Sequence, residues 1–326
     1  MTALRRPAEW EPHRAVWTAW PDHPDWGSAL DAARDEFAAL CAALAEGDGA
    51  EEVRVLVKTE AAKRDAERAL GGAVTLVEVP YGDIWLRDTG PIFVRNAEQR
   101  VEARCFAWNG WGGKYRYEHD DRVGAAICEQ LDLATNRRSW ILEGGAIESD
   151  GAGTCLTTRQ CLLNPNRNPG LAGPDIERKL REDLGFERVV WLGDGLSNDH
   201  TDGHVDTLAR FVGPNRVVCM RPAEDDPNAS ALNATREILN TEGFEVYTIP
   251  SPGAVQGNDG ELLPASYANF YIGNRSVAVP VYGSPHDAEA VEALAALFPD
   301  RTVVGLSAKA ILSGGGAFHC ITQEQP

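Results

Sequence analysis

One order of elements, strand–strand–helix–strand, returns about five times along the chain, and this recurrence limits the possible folds more than any single motif. An aromatic and β-branched stretch over 10–21 reads as a buried strand. Leu30, Ala33, Phe37, Leu40 and Leu44 fall at spacings of three and four, which predicts an amphipathic helix over 28–46. Strands over 53–57 and 75–80 then flank an alanine-rich helix over 60–70. The cycle restarts with a strand-like run over 83–94, broken by Thr89-Gly90-Pro91, a partner over 100–108 and a helix over 120–131. A hairpin over 140–164 turns at 149–153 and leads to a helix over 174–184 and a strand over 189–192. The next hairpin, over 204–220, turns at 213–215 and precedes a helix over 229–241 and a strand over 245–249. A further hairpin over 267–282, turning at 273–274, precedes a helix over 287–298, a strand over 302–306 and a terminal strand, Gly314 to Cys320.

With the first strand taken as partner of the last, about five units follow one another every roughly 50 to 65 residues, without low-complexity linkers. The expectation is an α/β chain forming a single catalytic domain over 1–326, its units arrayed about a pseudo-fivefold axis. Such an array brings one strand of each unit toward a shared centre.

A formal charge of −18 argues against nucleic acid or an anionic membrane as partner, since either would be repelled. It suits small cationic ligands, and equally suits mere solubility. No apolar run reaches the roughly 20 residues that a membrane helix needs, and residues 1–10 do not read as a signal peptide. The cytoplasm is the expected location. Seven cysteines without CxxC spacing fit a reducing compartment and speak against a disulfide framework or a thiolate zinc site.

Chemistry concentrates at glycine-flanked strand ends. The chain closes with Gly314-Gly315-Gly316-Ala317-Phe318-His319-Cys320, where a glycine-rich bend presents a cysteine, either as a nucleophile or as an inert buried thiol. In the densest polar run, 198–206, an extended backbone would put His204 and Asp206 side by side on one face. His200, His204 and Asp206 could alternatively hold a metal in a hydrolase of another class, though Asp202 and Gly203 are poor formers of the helix this would need. Trp85 and Asp88 can line one pocket only if the backbone bends between them, and Glu143 precedes two glycines at the end of a buried strand. Either carboxylate could instead pair with Arg87 or Arg138. Carboxylates buried without a metal or basic partner imply a cationic ligand rich in N–H donors, and a guanidinium fits. Its planar fork matches two carboxylates, and its central carbon suits attack by a thiolate.

At WEPHRAVWTAWP, DIWLRDTGPIFV, WILEGGAIESDGAGT, CLLNPNRNP, TDGHVDTLARF, NDGELLPASYANFYI and GGGAFHCITQEQP the sequence resembles the agmatine deiminase family of the guanidino-group-modifying superfamily. That resemblance implies a five-bladed α/β propeller (pentein) of ββαβ units and hydrolysis of agmatine to N-carbamoylputrescine and ammonia, with no metal or organic cofactor. It implies Cys320 as nucleophile, Asp88 and Asp206 as holders of the guanidinium, Glu143 as its orienting acid and His204 as general acid/base. Trp85 would form part of the channel wall. His200 stands where the family tends to carry an acid near the substrate's distal end, so Asp202, next to Gly203, is expected to take over that role. The segment after WPDHPDWG also lacks the family's Asn-Trp-Arg run. A deiminase of arginine or of another guanidine with a neutral or carboxylate tail is the alternative. A catalytically dead ligand-binding propeller is disfavoured by the complete set of polar residues, and a homo-oligomer is compatible with the sequence.

Overall fold

The computed structural model describes residues 4–326; the first three residues of the N-terminal stretch lie outside it. Among the described residues the strands form five sheets of at least three strands, with a separate two-stranded ribbon, Val255–Gln256 and Leu262–Leu263, that the sequence reading did not anticipate.

Four sheets share one plan: the leading strand runs antiparallel to the middle strand, and the middle strand parallel to the third, with a helix in the crossover. Ile92–Arg95, Val101–Ala107 and Thr135–Ile141 form one, crossed by helix Val123–Gln130. Glu148–Ser149, Thr154–Thr158 and Arg188–Leu192 form the next, with helix Gly173–Leu184. Then come Ala209–Gly213, Arg216–Arg221 and Glu245–Pro250 with helix Ala229–Thr241. Tyr271–Ile272, Ser276–Val281 and Thr302–Ser307 follow with helix Asp287–Leu297. The remaining sheet joins the two ends of the chain. Gln323–Gln325 runs antiparallel to Ala15–Ala19, which continues in parallel to Glu52–Val57 and Thr75–Glu78 across helices Leu30–Ala45 and Glu60–Leu70.

Apolar periodicity explains this layering, because each crossover helix turns its apolar stripe onto its sheet. Helix Leu30–Ala45 buries Ala33, Phe37, Leu40, Cys41 and Leu44, and helix Gly173–Leu184 buries Ile176, Leu180 and Leu184. No helix among the described residues is long and apolar enough to cross a membrane.

Three expectations need correction. The Gly314–Cys320 stretch is not a strand: Gly315 lies at φ +107°, the backbone turns, and the terminal strand begins at Gln323. The hairpin expected over 140–164 is split. Trp140 stays in the strand Thr135–Ile141, and pairing across the turn is confined to Glu148–Ser149 and Thr154–Thr158, because Glu143-Gly144-Gly145 bends between them. His204 and Asp206 do not sit on extended strand. Asp202 at φ +63° and Gly203 at φ +84° break the run, and Val205–Thr207 makes one turn of 3-10 helix.

Candidate active site

Each unit presents a polar side chain from the bend ahead of its leading strand. Asp88 lies in the helical turn Leu86–Thr89 before Ile92, which is the bend that Trp85 and Asp88 require to share a pocket. Glu143 precedes the turn Gly144–Ala146, Asp206 lies in the turn before Ala209, Asn269 precedes Tyr271, and Cys320 precedes Gln323.

Gly145 is the point where two of these groups, Asp88 and Asp206, meet the imidazole of His204. A methyl there would lie 2.6 Å from His204 Nδ1, 3.0 Å from Asp206 Oδ2 and 3.1 Å from Asp88 Oδ1, so only bare backbone fits between them. The Gly145 amide donates to Asp88 Oδ1 at 2.9 Å, and the Trp111 indole N–H donates to Asp88 Oδ2 at 2.8 Å. His204 Nδ1 is 3.8 Å from Asp88 Oδ2, and neither ring nitrogen has a hydrogen-bond partner among the described residues. Cys320 Sγ stands 3.7 Å from Asp206 Oδ2 and receives the Asn269 side-chain N–H at 3.1 Å. The Asn269 carbonyl oxygen in turn accepts from the amides of Ala317 and Cys320, which fixes the bend that carries the thiol.

Burial without a cation governs the electrostatics. Burial, then the charges of Asp206 and Glu143, push the Asp88 carboxyl up to about 8. Burial, reinforced by Asp206 and Asp88, holds the Cys320 thiol well above its ordinary value. Burial lowers the His204 imidazole to about 3, so it is neutral and cannot assist the thiol as an imidazolium. Burial also opposes ionisation of Asp206, but the His319 imidazole, 2.7 Å from Oδ2, together with the charge of Arg210, keeps that carboxylate below its usual range. Glu143 is fully buried and raised by burial against the pull of Arg167, whose Nε donates to Oε1 at 2.6 Å; Oε2 has no partner.

A cavity of about 190 Å³ reaches this cluster at Asp88 and Cys320. Trp85, Trp111 and Gly314–Gly316 line its walls, and Asp25, Trp26, Asp83, Tyr115, Tyr117 and His200 also border it. His204, Asp206 and Glu143 are buried and are not among the residues that line the open space.

Of the residues singled out in the sequence, Cys320, Asp88, Asp206 and His204 are brought together, Glu143 is fully buried and Trp85 and His200 border the cavity. Asp202 and Gly203 do not. Lys114, Asn166 and Arg167 take both oxygens of Asp202, and Gly203 packs against Gly195, where a methyl would be 2.9 Å from the neighbouring backbone. Among the described residues His200, His204 and Asp206 form no metal-competent group. The acidic, imidazole and thiol atoms that come within 4.8 Å of one another belong to Glu143, Cys161 and His204. Arg87 and Arg138 leave the site, bonding Glu9 and Glu324 in one case and Asp183 in the other. Sequence reasoning missed Asn269, Arg167, Gly145, Trp111 and His319. Asn269 was within reach, because it occupies in its unit the place that Cys320 and Asp206 occupy in theirs.

The class of protein is set by fold first. The structure aligns over most of its length with DDAH from Pseudomonas aeruginosa (TM-score 0.53, 13% identity, 96% of this chain and 99% of that one). It aligns likewise with an amidinotransferase from Microseira wollei (TM-score 0.57, 11% identity, 99% and 97%), which places the chain in their mixed α/β fold. Within that class the match becomes specific. Residues 5–326 fit the model of the Porphyromonas-type peptidyl-arginine deiminase family, and the chain belongs to it. A Pseudomonas aeruginosa agmatine deiminase is 38% identical, over 99% of this chain and 95% of that one. The solved agmatine deiminase of Enterococcus faecalis superposes with a TM-score of 0.93 at 33% identity, covering 99% and 96%.

Proposed function

We propose that the protein is an agmatine deiminase, hydrolysing the guanidinium of agmatine to N-carbamoylputrescine and ammonia through an amidino-cysteine on Cys320. The observation that carries this reading is a set of buried carboxylates, with too few cations of their own, facing a buried thiol. A guanidinium entering beside Asp88 and Asp206 supplies the missing charge, and the Asp88 proton leaves to solvent. The same charge lowers the thiol, whose proton passes to neutral His204. Sγ attacks the central carbon, and His204 returns the proton to the departing ammonia. Water then attacks the amidino carbon and gives one proton to His204; the C–S bond breaks as the remaining hydroxyl proton passes to Sγ, His204 releases its proton to solvent, and the ureido product leaves. Glu143, held by Arg167, orients the guanidinium and His204. No cofactor enters this sequence.

The same reading includes closure of the five sheets into one propeller-like catalytic domain about a pseudo-fivefold axis. It is supported by the pairing of the first strand with the last and by the equivalent position of one polar residue in each unit. A cytoplasmic location and possible self-association complete it. Arginine is the weaker alternative substrate, because the lining of the cavity includes acids and no Lys or Arg that could face a carboxylate tail.

Incubation with agmatine, arginine and 4-guanidinobutyrate, assaying ammonia and ureido product, tests the proposal. Agmatine is expected to be consumed, and Cys320→Ser to abolish the reaction with the fold intact. Inertness toward all three overturns it, and undiminished turnover by Cys320→Ser overturns the role of the thiol.

A further inference from the structure

We propose that Asp83, clamped between the indoles of Trp26 and Trp85, is the counter-ion for the ammonium end of the substrate; this rests on the reaction proposed above. The Trp26 N–H donates to Oδ1 at 2.9 Å and the Trp85 N–H to Oδ2 at 3.0 Å. The two rings stack 6.0 Å apart at 24°. Each carboxylate oxygen keeps a further lone pair, and Asp83 borders the cavity although it is only 5% exposed. It has no salt-bridge partner among the described residues, and only the two indoles, the Ile84 amide and the more distant His23 offset its charge. Burial accordingly pushes its carboxyl up, and a bound cation would reverse that cost.

Its position suits a guanidine with a butyl spacer. Trp85 ties Asp83 to the nucleophile: its Nε1 holds the carboxylate, and the far edge of its ring lies against Gly316, where a methyl would be 2.8 Å from Cζ3 and 2.9 Å from Cys320 Sγ. Gly314 is equally bare, because a methyl there would meet both Trp26 and Trp85 at 2.7 Å. One indole therefore separates thiol from carboxylate, with a glycine wall along which methylenes can lie. Trp26 and Trp85 add aromatic surface beside an ammonium. Of the two other acids bordering the cavity, Asp88 lies at the thiol end, and Asp25 has a side chain that is 67% exposed, so water screens its charge. Asp202, the acid expected from sequence to serve this end, is already neutralised by Lys114 and Arg167.

The test compares agmatine with n-pentylguanidine, in which a methyl replaces the ammonium, through the ratio of their kcat/KM values. The wild-type protein is expected to favour agmatine at least about tenfold, and Asp83→Asn to reduce that ratio by roughly 10- to 100-fold. Asp25→Asn is expected to change it less than about threefold. A wild-type ratio near one overturns the assignment whether or not the variant folds. So does Asp83→Asn with an unchanged ratio, since damage to the tryptophan clamp alone would slow both substrates alike. A larger effect of Asp25→Asn than of Asp83→Asn moves the site to the rim and overturns it as well. A wild-type protein that leaves agmatine untouched overturns the proposed reaction together with this inference.

Discussion

Two groups of buried charge lie on either side of the His319 ring, and they differ in whether the chain itself completes them. On the Nε2 side, Glu9 is 2.9 Å from His319, 2.9 Å from Arg87 and 2.7 Å from Arg210. Glu324 bonds Arg87 at 2.6 Å and also Arg6, while Glu148 bonds Arg210 at 2.9 Å. On the Nδ1 side, among the described residues, Asp206 is paired with His319 but neither it nor Asp88 forms a salt bridge with an arginine, and Arg167 serves Glu143 alone in that cluster. Desolvation is unfavourable in both places. Completed pairs offset it within the fold and hold the first and last segments of the chain together. The incomplete group leaves part of it to be relieved by a cation from outside, which is why we propose it as the binding site.

That contrast can be broken most severely at Arg87. Arg87→Met takes one cation from both Glu9, which keeps Arg210 and His319, and Glu324, which keeps Arg6, and is expected to lower unfolding free energy by roughly 3 kcal/mol in urea titrations. Asp88→Asn, which removes an acid that has no cation, should cost less than about 1 kcal/mol while suppressing turnover. Equal costs for the two variants would mean that the groups do not differ as described. Next in size, Gly145→Ala forces His204 away from the two aspartates and is expected to lower kcat/KM for agmatine by about 100-fold. Near-normal rates would show that the three groups need not converge there.

Titration sharpens the comparison further. Asp88 has a folded value of about 8, far above its ordinary 3.8, so stability associated with its neutral form is lost as pH rises from about 4 through 8 in the absence of a cation. His204 works in the opposite sense, because its folded value of about 3 lies below the ordinary 6.5 and its contribution is lost as pH falls through that interval. Agmatine binding to Cys320→Ser should release a proton near pH 7 and tighten by up to about tenfold per pH unit until pH 8. Calorimetry in buffers of different ionisation enthalpy reads this directly, and pH-independent affinity without proton release would contradict it. The smallest effect is expected at His200. Its ring leans on Tyr115, 5.4 Å between centroids, and His200→Asp should change the preference for amine-tailed over carboxylate-tailed guanidines only a few-fold.

The repeat was legible because apolar periodicity and turn residues are local properties, and the helices fall close to where the spacing puts them. Cys320, His204, Asp88, Glu143 and Asp206 stood out because such residues beside glycine are hard to explain as packing. Their backbone did not, since the bends at 86–89, 205–207 and 318–322 follow from contacts between units rather than from local preference. Asp202 misled because its neutralising partners, Lys114 and Arg167, are distant in sequence. The complete network around Glu9 was invisible for the same reason: Glu9, Arg87, Arg210 and Glu324 are spread over nearly the whole chain. Asn269 carries no charge to mark it, and only its register within the repeat gives it away.

In the mechanism we propose, Cys320 attacks a guanidinium gripped by acids that have too few cations of their own. Acid-quenched mass spectrometry of the protein during turnover of agmatine tests it most directly. The account predicts an amidino adduct on the peptide that contains Cys320, absent from Cys320→Ser and diminished by Asp88→Asn. Product accumulating with no adduct on that peptide, or with the adduct on another cysteine, would contradict it.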